Sequence, residues 1–289
     1  MPVILDGKET QKKICEELSV EIENLKEKGI TPGLGIVQVG NRKDSTTYIR
    51  MKEKACKNLG IYFVLELLEE DVESIKVENV IDNLNNNDSI HGIIVQLPLP
   101  NHLNEAEILK KVKLEKDVDG FHPENMGKLT LNRLNECMAP CTPSGCIELL
   151  DRYNIDLSGK NVTILGRSNI VGLPMALLSL HRDATVTVCH SKTKNIKELC
   201  KTADVLICAC GRAEMIDETW IKAGCVIVDV GINAIDDSSK KSGYRLVGDV
   251  NYKSVLDKVS AITPVPGGVG PMTIGMLLVH TVNACKKLN

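Results

Sequence analysis

The chain has 289 residues and a net charge of −3 at neutral pH, and 43% of its residues are hydrophobic. This composition predicts a globular protein with room for two domains, and the near-neutral charge argues against non-specific nucleic-acid binding, which needs clustered Lys and Arg. No apolar run approaches the roughly 18 residues of a membrane-spanning helix. The first residues, MPVILDGKETQKK, lack the basic start and long apolar centre of a signal peptide, so we expect a cytoplasmic protein.

Strand-like and helix-like patterns alternate along the first part of the chain. Apolar runs predict strands at 3–5, 33–40, 61–68 and 90–100. Helical spacing of apolar residues predicts helices at 7–28, 44–59, 72–86 and 104–111. Residues 115–145 interrupt this alternation with several Gly and Pro residues, which predicts a loop and hinge.

The alternation resumes in the second part of the chain. Strands are predicted at 161–165, 185–189, 204–209 and 225–230, and helices at 171–181, 195–201, 217–222 and 271–287. Because strands separated by helices form parallel sheets, we expect two α/β domains flanking a cleft, the second a Rossmann-like doubly wound parallel sheet. We expect the first domain to span 1–138, completed by a C-terminal helix at 271–289, and the second to span 139–270. Ligands of such folds bind at the carboxyl ends of strands and between domains.

Eleven cysteines are scattered along the chain. Cys208 and Cys210 lie two apart in an apolar run, and Cys137, Cys141 and Cys146 have neither C-x-x-C spacing nor paired histidines. In a reducing cytosol this pattern favours buried free thiols over disulfides or zinc ligands. We therefore predict no metal site.

The stretch NVTILGRSNIVGLPM has the order of a nucleotide-binding loop. A strand at 161–165 runs into Gly166, and the following helix would direct unpaired N–H groups and its positive end at a phosphate. The loop departs from G-x-G-x-x-G, because Ser168 replaces the second glycine while Gly172 is kept. Nucleotide binding and a structural tight turn both stay open on this pattern alone. A second G-x-G, at 33–40, lies inside a strand and predicts close packing instead.

The residues after the next strand indicate which nucleotide would bind. NAD sites often place a carboxylate there for the ribose hydroxyls, whereas this strand ends in His190-Ser191-Lys192. Arg167, Ser191 and Lys192 suit the 2′-phosphate of NADP. An exposed polar turn is the alternative interpretation.

The basic stretch YIRMKEKACKNLGI at 48–61 lies on a predicted helix. Tyr48 and Lys52 are four residues apart and therefore share a face. Spacing alone does not decide whether one of these basic side chains enters a pocket or whether all of them are solvated.

Eight motifs together resemble the bifunctional methylenetetrahydrofolate dehydrogenase/cyclohydrolase, or FolD, family. In chain order they are STTYIRMKEKACKNLGI (45–61), GIIVQLPLP (92–100), KDVDGFHPENMGKL (116–129), PCTPSG (140–145), GRSNIVGLPM (166–175), CHSKT (189–193), VDVGIN (228–233) and TPVPGGVGPMT (263–273). The resemblance implies oxidation of 5,10-methylenetetrahydrofolate to the methenyl form with NADP, and hydrolysis of the methenyl form to 10-formyltetrahydrofolate, at one folate site. It implies a folate-binding first domain, an NADP-binding second domain, and a homodimer that pairs through the latter. One-carbon metabolism and purine biosynthesis are the implied settings.

Four residues match the family's catalytic positions. The resemblance implies that Lys52 is the catalytic residue, that Tyr48 packs on the folate, and that Gln96 orients Lys52. Asp119 matches the carboxylate that holds the pterin ring. A rival interpretation exists for Asp119, because Asp-Gly favours turns and the neighbouring Asp117 is suited to capping a loop. If Lys52 points inward, the other basic residues of its helix should be solvated, namely Arg50, Lys54 and Lys57.

Further positions match the family's binding residues. For folate they are Leu97, Pro266, Gly267 and Gly268, in addition to the catalytic set. For NADP they are Thr142, Gly166, Arg167, Ser168, Val171, His190, Ser191, Ile232 and Thr273. The segment that holds Pro266 also suits a hinge into the last helix. Two departures, Ala213 and Leu114, stand where the family usually has proline.

Two other functions are compatible with parts of the pattern. One is an enzyme with a single activity, either dehydrogenase or cyclohydrolase. The other is a non-catalytic nucleotide-binding module, which should have lost Lys52 or Asp119. Because the catalytic set and the nucleotide loop are both present, the sequence favours the bifunctional enzyme.

Overall fold

A computed structural model describes residues 1–240 and 243–289, without the side chains of residues 43 and 44. The strands are β1 (Val3–Ile4), β2 (Gly33–Val39), β3 (Tyr62–Leu68), β4 (Gly92–Val95), β5 (Asn161–Leu165), β6 (Thr185–Cys189), β7 (Val205–Cys208), β8 (Val226–Asp229), β9 (Asn233–Asp236), β10 (Tyr244–Val247) and β11 (Ala261–Ile262). The helices are α1 (Gly7–Glu27), α2 (Lys43–Leu59), α3 (Ser74–Asn85), α4 (Glu105–Leu109), α5 (Pro123–Thr130), α6 (Cys141–Arg152), α7 (Gly172–Leu180), α8 (Ile196–Thr202), α9 (Tyr252–Val255) and α10 (Val269–Leu288). Among the described residues, no helix is both long enough and apolar enough to cross a bilayer.

The larger sheet has six parallel strands in the order β1-β11-β8-β7-β5-β6. Its central strands are apolar and β-branched, and β7 is buried along its whole length, as expected for a sheet covered on both faces. The chain passes from β5 to β6 on one side and then returns to β7 on the other side of β5. This reversal creates a crevice at the carboxyl ends of β5 and β7. The predicted Rossmann-like doubly wound sheet is confirmed.

The smaller sheet has three parallel strands in the order β3-β2-β4. Its middle strand β2 is fully buried. A Cβ added to Gly35 would lie 3.0 Å from the Leu84 side chain of α3. The predicted packing role of this G-x-G is therefore confirmed, because the glycine lets helix and strand approach closely.

The chain divides into two compact units. One unit contains Met1–Gln11 and Thr142–Thr273, and the other contains Lys12–Cys141 and Ile274–Asn289. The sequence led us to expect residues 1–11 in the first domain, whereas contacts in the structure group them with the second. Because β1 pairs with β11, they belong to the six-stranded sheet.

The region predicted as a loop at 115–145 also contains helix α5 and the start of α6. Pro123 occupies the first turn of α5, and the His122 side chain accepts from the backbone N–H of Glu124. A proline at this position starts a helix rather than breaking one. The Gly and Pro content therefore indicated helix boundaries within this region, not a continuous loop.

Two other predicted elements are shorter in the structure. The strand predicted at 90–100 ends at Val95, before Pro98 and Pro100. The helix predicted at 217–222 is a single 3₁₀ turn, Glu218–Trp220. Asp217 caps that turn by accepting from the backbone N–H of Thr219 at 2.8 Å.

Candidate active site

Helix α2 carries Lys52 on its buried face. Ser45, Ile49, Lys52 and Cys56 recur every three or four residues and are all buried. This spacing forms one stripe along a helix, so the fold carries a lysine into a face otherwise made of small and apolar groups. A buried ammonium needs a polar partner.

Gln96 supplies that partner from the end of β4. The Lys52 Nζ donates to Oε1 of Gln96 at 3.1 Å, and Nε2 of Gln96 donates to the carbonyl of Leu97 at 2.9 Å. The second bond fixes the amide so that its oxygen faces the lysine. The structure thus brings Lys52 and Gln96 together.

The neighbouring basic residues of α2 behave differently. As predicted, Arg50, Lys54 and Lys57 are exposed, and Lys57 pairs with Glu53 one turn away at 2.6 Å. The opposite exposures of Lys52 and Lys54 make them a matched pair for experiments.

Tyr48 lies one turn before Lys52 and is half-buried. Burial raises the pKa of its phenol above the usual value, which keeps the ring neutral at physiological pH. Its aromatic face is suited to packing against a planar ring.

Asp117 is a structural residue of the loop after α4. Its carboxylate accepts from the backbone N–H groups of Gly120 (3.1 Å), Phe121 (3.3 Å) and His122 (2.8 Å), and from Nδ2 of Asn125 (2.8 Å). These bonds use the acceptor capacity of both oxygens. The predicted capping role of Asp117 is confirmed.

Asp119 lies two residues further on, in different surroundings. Asp119 is half-buried, and protein atoms around its carboxyl group shield the group from water. Burial, with a smaller contribution from the Asp117 charge, raises the pKa of Asp119 to about 6, against the opposing effects of the Lys52 charge and a hydrogen bond with the Cys141 thiol. The structure therefore places a carboxylate within electrostatic reach of Lys52 while leaving it without the backbone partners that occupy Asp117.

Two residues that the sequence did not single out lie behind Asp119. The Cys141 thiol donates to the carbonyl of Val118 at 3.2 Å, and Nδ1 of His280 lies 3.0 Å from the same oxygen. Burial raises the pKa of Cys141 and lowers that of His280, so both are neutral at physiological pH. They fix the backbone next to Asp119 without adding charge. Cys141 stands in the PCTPSG motif, which was the available signal for it, whereas nothing in the sequence singled out His280.

The nucleotide loop leaves β5 at Gly166, whose φ is +127°. A Cβ at this position would clash with the carbonyl oxygen of Ala209 at the end of the neighbouring strand. Both the dihedral angle and the close approach therefore require glycine here.

The start of α7 differs from the prediction. The Ser168 hydroxyl accepts from the N–H groups of Val171 (3.1 Å) and Gly172 (3.3 Å). These N–H groups are therefore not unpaired, because the side chain that replaces the second glycine caps the helix itself. The positive end of the helix still points into the loop.

Replacing Gly166 with alanine should lower the free energy of unfolding by about 2–4 kcal/mol, because the new methyl group meets backbone and the dihedral angle is strained. Gly127 is the matched control, since it lies in α5 with no atom within 4 Å of an added Cβ. Gly127→Ala should instead stabilise by up to about 1 kcal/mol. Urea denaturation measures both, and equal stability of Gly166→Ala and the wild type would contradict this account of the loop.

A cavity of about 440 Å³ opens at the carboxyl ends of β5, β6 and β7. Among the predicted cofactor residues, Gly166, Arg167, His190 and Ser191 line it. The Arg167 side chain, the Ser191 hydroxyl and the exposed backbone near Gly166 fit a phosphorylated nucleotide. The cavity lacks a carboxylate among its lining residues, in agreement with the preference predicted for NADP over NAD.

The other predicted cofactor residues lie outside this cavity. Thr142 and Thr273 share a hydrogen bond between their hydroxyl oxygens at 3.0 Å, and Ile232 is 45% exposed. Val171 is the residue before α7.

The segment with Pro266, Gly267 and Gly268 packs against the start of α1. The Gly267 carbonyl accepts from the N–H of Lys8 at 3.0 Å, and a Cβ on Gly268 would lie 2.6 Å from the carbonyl oxygen of Pro264. These glycines thus have a packing role of their own. Leu97 is half-buried beside Gln96.

The eleven cysteines are all free thiols, and eight of them are buried. Among the described residues, no group of three or more His, Cys, Asp or Glu side chains is arranged to hold a metal ion. Ala213 lies in an exposed turn, and Leu114 begins a 3₁₀ turn that ends at Lys116. Nothing in the structure explains these two departures from the family pattern.

Comparison with known proteins identifies two matching family models. The catalytic domain of tetrahydrofolate dehydrogenase/cyclohydrolase matches residues 5–119, and the NAD(P)-binding domain of the same family matches residues 140–289. The bifunctional protein FolD 4, chloroplastic, of Arabidopsis thaliana is 50% identical over 288 residues, which cover 99% of this chain and 80% of the relative.

Solved structures give the same result. The crystal structure of the bifunctional enzyme FolD from Campylobacter jejuni has a TM-score of 0.95 at 46% identity and covers 99% of both chains. The FolD structure of Trypanosoma brucei, complexed with NADP cofactor and an inhibitor, has a TM-score of 0.95 at 41% identity and covers 99% of this chain and 98% of that one.

Proposed function

Because the chain belongs to the tetrahydrofolate dehydrogenase/cyclohydrolase family, we propose that it interconverts one-carbon folates through two reactions. It oxidises 5,10-methylenetetrahydrofolate to the 5,10-methenyl form with NADP, and it hydrolyses the methenyl form to 10-formyltetrahydrofolate. The observation that carries this proposal is the buried Lys52 ammonium, held 3.1 Å from Gln96 Oε1 and within electrostatic reach of Asp119.

The oxidation removes a hydride from the methylene carbon and leaves a positive charge shared over the two folate nitrogens. NADP, when held by the residues of the second domain, would supply the hydride acceptor. The protein's part is alignment of the two rings, with Tyr48 packing on the folate and Asp119 accepting hydrogen bonds from the pterin.

The hydrolysis adds water to the cationic methenyl carbon and then breaks the bond from that carbon to the pterin-ring nitrogen. One proton of the water is released overall. Lys52 positions the water and assists the transfer of its proton, and Gln96 holds Lys52 in place. The same folate site then serves both steps. We propose Leu97, Pro266, Gly267 and Gly268 as further folate-binding residues.

NADP binding is assigned to the six-stranded sheet. Gly166 and Ser168 shape the loop, Arg167 and Ser191 bind the 2′-phosphate, and His190 lies beside them. Thr142, Val171, Ile232 and Thr273 contact the cofactor elsewhere along its length. The residues lining the 440 Å³ cavity support this assignment.

The assembly and setting follow from the same proposal. The protein is a cytoplasmic homodimer that pairs through the NADP-binding domain, and its 10-formyl product serves purine biosynthesis. Exposed apolar side chains of this domain support the pairing, among them Tyr244 and Leu246. Analytical ultracentrifugation tests the dimer, and a purely monomeric protein would contradict it.

Assays of the purified protein test the two activities separately. With methylenetetrahydrofolate, reduction of NADP should be much faster than reduction of NAD. Methenyltetrahydrofolate alone, with no nucleotide, should be hydrolysed well above the rate in buffer. Loss of either activity would identify a single-activity enzyme, and absence of both would leave only a nucleotide-binding module.

A further inference from the structure

A second arginine lines the cavity at the carboxyl ends of β5, β6 and β7. Arg212 lies in the loop after β7, and Arg167 lies in the loop after β5. Since β5 lies between β6 and β7, the loop with Ser191 is on one side of Arg167 and the loop with Arg212 is on the other. The cavity thus has cationic side chains from two neighbouring loops.

A buried carboxylate fixes the loop that carries Arg212. Asp249 is 0% exposed and accepts from the N–H groups of Cys210 (2.7 Å), Gly211 (3.0 Å) and Arg212 (2.8 Å). Gly211 has a φ of +65°, the left-handed conformation that this tight turn needs. The backbone of Arg212 is therefore preorganised.

Asp249 is itself held in place from β8. The Asp229 carboxylate accepts from the N–H groups of Asp249 (3.0 Å) and Val250 (2.9 Å). Nδ2 of Asn233 donates to Asp249 at 3.0 Å. This hydrogen-bond network holds the loop after β7 in a single conformation, which a surface turn without such bonds would not keep.

Within the described chain, the guanidinium groups of Arg167 and Arg212 form no ion pair with a carboxylate, and Nη1 of Arg212 lies 4.0 Å from Sδ of Met215. Other arginines of the protein do pair with carboxylates, namely Arg133, Arg152, Arg182 and Arg245. Two unpaired guanidinium groups on one cavity favour an anion of more than one charge. A phosphate monoester carries about −1.5 to −2 at pH 7 and accepts bidentate bonds from arginine.

The other residues that line the cavity indicate which chemical group would carry such a phosphate. Ile196, Met215 and Trp220 line the same cavity. These flat or flexible apolar groups suit the face of a purine. Nζ of Lys197 lies 5.9 Å from the centroid of the Trp220 ring, within the range of a cation–π interaction.

We propose that Arg212 is a specificity residue, binding the 2′-phosphate of NADP together with Arg167. This inference rests on the proposed function and extends it, because it assigns part of the discrimination between NADP and NAD to the loop after β7. The 2′-hydroxyl of NAD offers no charge for a second guanidinium, so Arg212 contributes only when the phosphate is present.

Calorimetric titration with adenosine 2′,5′-bisphosphate and adenosine 5′-monophosphate isolates the 2′-phosphate, which is the only difference between these probes. Arg212→Gln should weaken binding of the bisphosphate by about tenfold, the order expected for one charge-assisted hydrogen bond. Binding of the monophosphate should change less than twofold. Arg212→Lys should recover part of the loss, because it keeps the charge but not the planar fork.

Arg182→Gln is the matched control. It removes the same charge from the same unit, where Arg182 pairs with Asp151 instead of lining the cavity, and it should bind both probes like the wild type. Unchanged bisphosphate affinity in Arg212→Gln, or equal weakening for both probes, would overturn the role of Arg212. If Arg167→Gln still loses bisphosphate affinity in that case, the NADP site stands without Arg212. A wild-type protein with no preference for the bisphosphate would instead contradict the proposed NADP dependence itself.

Discussion

Lys52→Met should lower the rate of methenyltetrahydrofolate hydrolysis by about 10²–10⁴-fold, the range that a positioned proton-transfer group contributes. Methionine keeps much of the side-chain length and suits the buried face of α2, where Lys52 is only 7% exposed. The variant should therefore fold. What it loses is the ammonium 3.1 Å from Gln96 Oε1, and with it control of the proton of the attacking water.

The dehydrogenase activity of the same variant should fall by a smaller factor. Hydride transfer depends mainly on the alignment of two bound rings, although the lost ammonium also removes a charge near the folate. Lys54→Met is the matched control, because Lys54 is exposed on the same helix. Both reactions should proceed at wild-type rates in that control. Wild-type hydrolysis by a folded Lys52→Met protein would show that Lys52 has no catalytic role.

Asp119→Asn should weaken folate binding by about 10–100-fold, because an ionised acceptor contributes about 1.5–3 kcal/mol to a hydrogen bond. Both activities should fall with it. The matching variant Asp117→Asn alters a carboxylate that already accepts hydrogen bonds from the loop backbone. It should therefore lower the stability of the protein and leave the folate affinity of the folded protein nearly unchanged. Normal folate affinity in Asp119→Asn would make that aspartate a turn residue only.

The pH dependence of folate binding gives an independent reading of Asp119. Burial raises the pKa of Asp119 to about 6, so wild-type affinity should fall as the pH drops below about 6 and the carboxylate takes up a proton. Lys52, Asp117 and Cys141 are the other titratable groups that influence it. Titrations of a folate analogue from pH 5 to 8, about one unit below and two units above the transition, should show this loss in the wild type and a flat, weak response in Asp119→Asn.

The raised pKa of Asp119 predicts opposite effects of Asp119→Asn on activity and on stability. A carboxyl group whose pKa is higher in the folded state than in the unfolded chain lowers the free energy of unfolding as the pH rises between the two values. Here these values are 3.8 for the unperturbed group and about 6 in the fold. At pH 8 Asp119→Asn should therefore be as stable as the wild type or more stable by about 1–2 kcal/mol, so its loss of activity is not a loss of folding.

Local patterns in the sequence predicted the elements whose identity depends on nearby residues. The apolar β-branched run at 161–165 and the helical spacing at 44–59 both formed the predicted elements. The inward direction of Lys52 followed from its spacing with Tyr48 together with the family resemblance. In contrast, the helix α5 was missed, because a proline that begins a helix looks the same in sequence as one that ends it.

Long-range contacts account for most of what the sequence did not predict. The pairing of Val3 with Ala261 joins residues from opposite ends of the chain, and no local pattern encodes it. The His280 ring reaches the Val118 carbonyl from the last helix. Arg212 was overlooked because its loop is ordered by Asp249, a residue far along the chain.

The difference between Asp117 and Asp119 also depended on three-dimensional geometry. Both carboxylates stand in the same four-residue motif, and turn chemistry fits either of them. Only the hydrogen bonds of the folded loop show that Asp117 is bound by backbone N–H groups and Asn125. Asp119 is then the carboxylate available to a ligand.

We propose that one folate site, built around Lys52, Gln96 and Asp119, serves both reactions. The most direct test measures the inhibition constant of a single non-reactive tetrahydrofolate analogue against the dehydrogenase and against the cyclohydrolase, in the wild type and in Asp119→Asn. We expect the two constants to agree within experimental error in the wild type and to rise by the same factor in the variant. Constants that differ by tenfold or more, or a variant that weakens inhibition of one reaction only, would contradict a shared site.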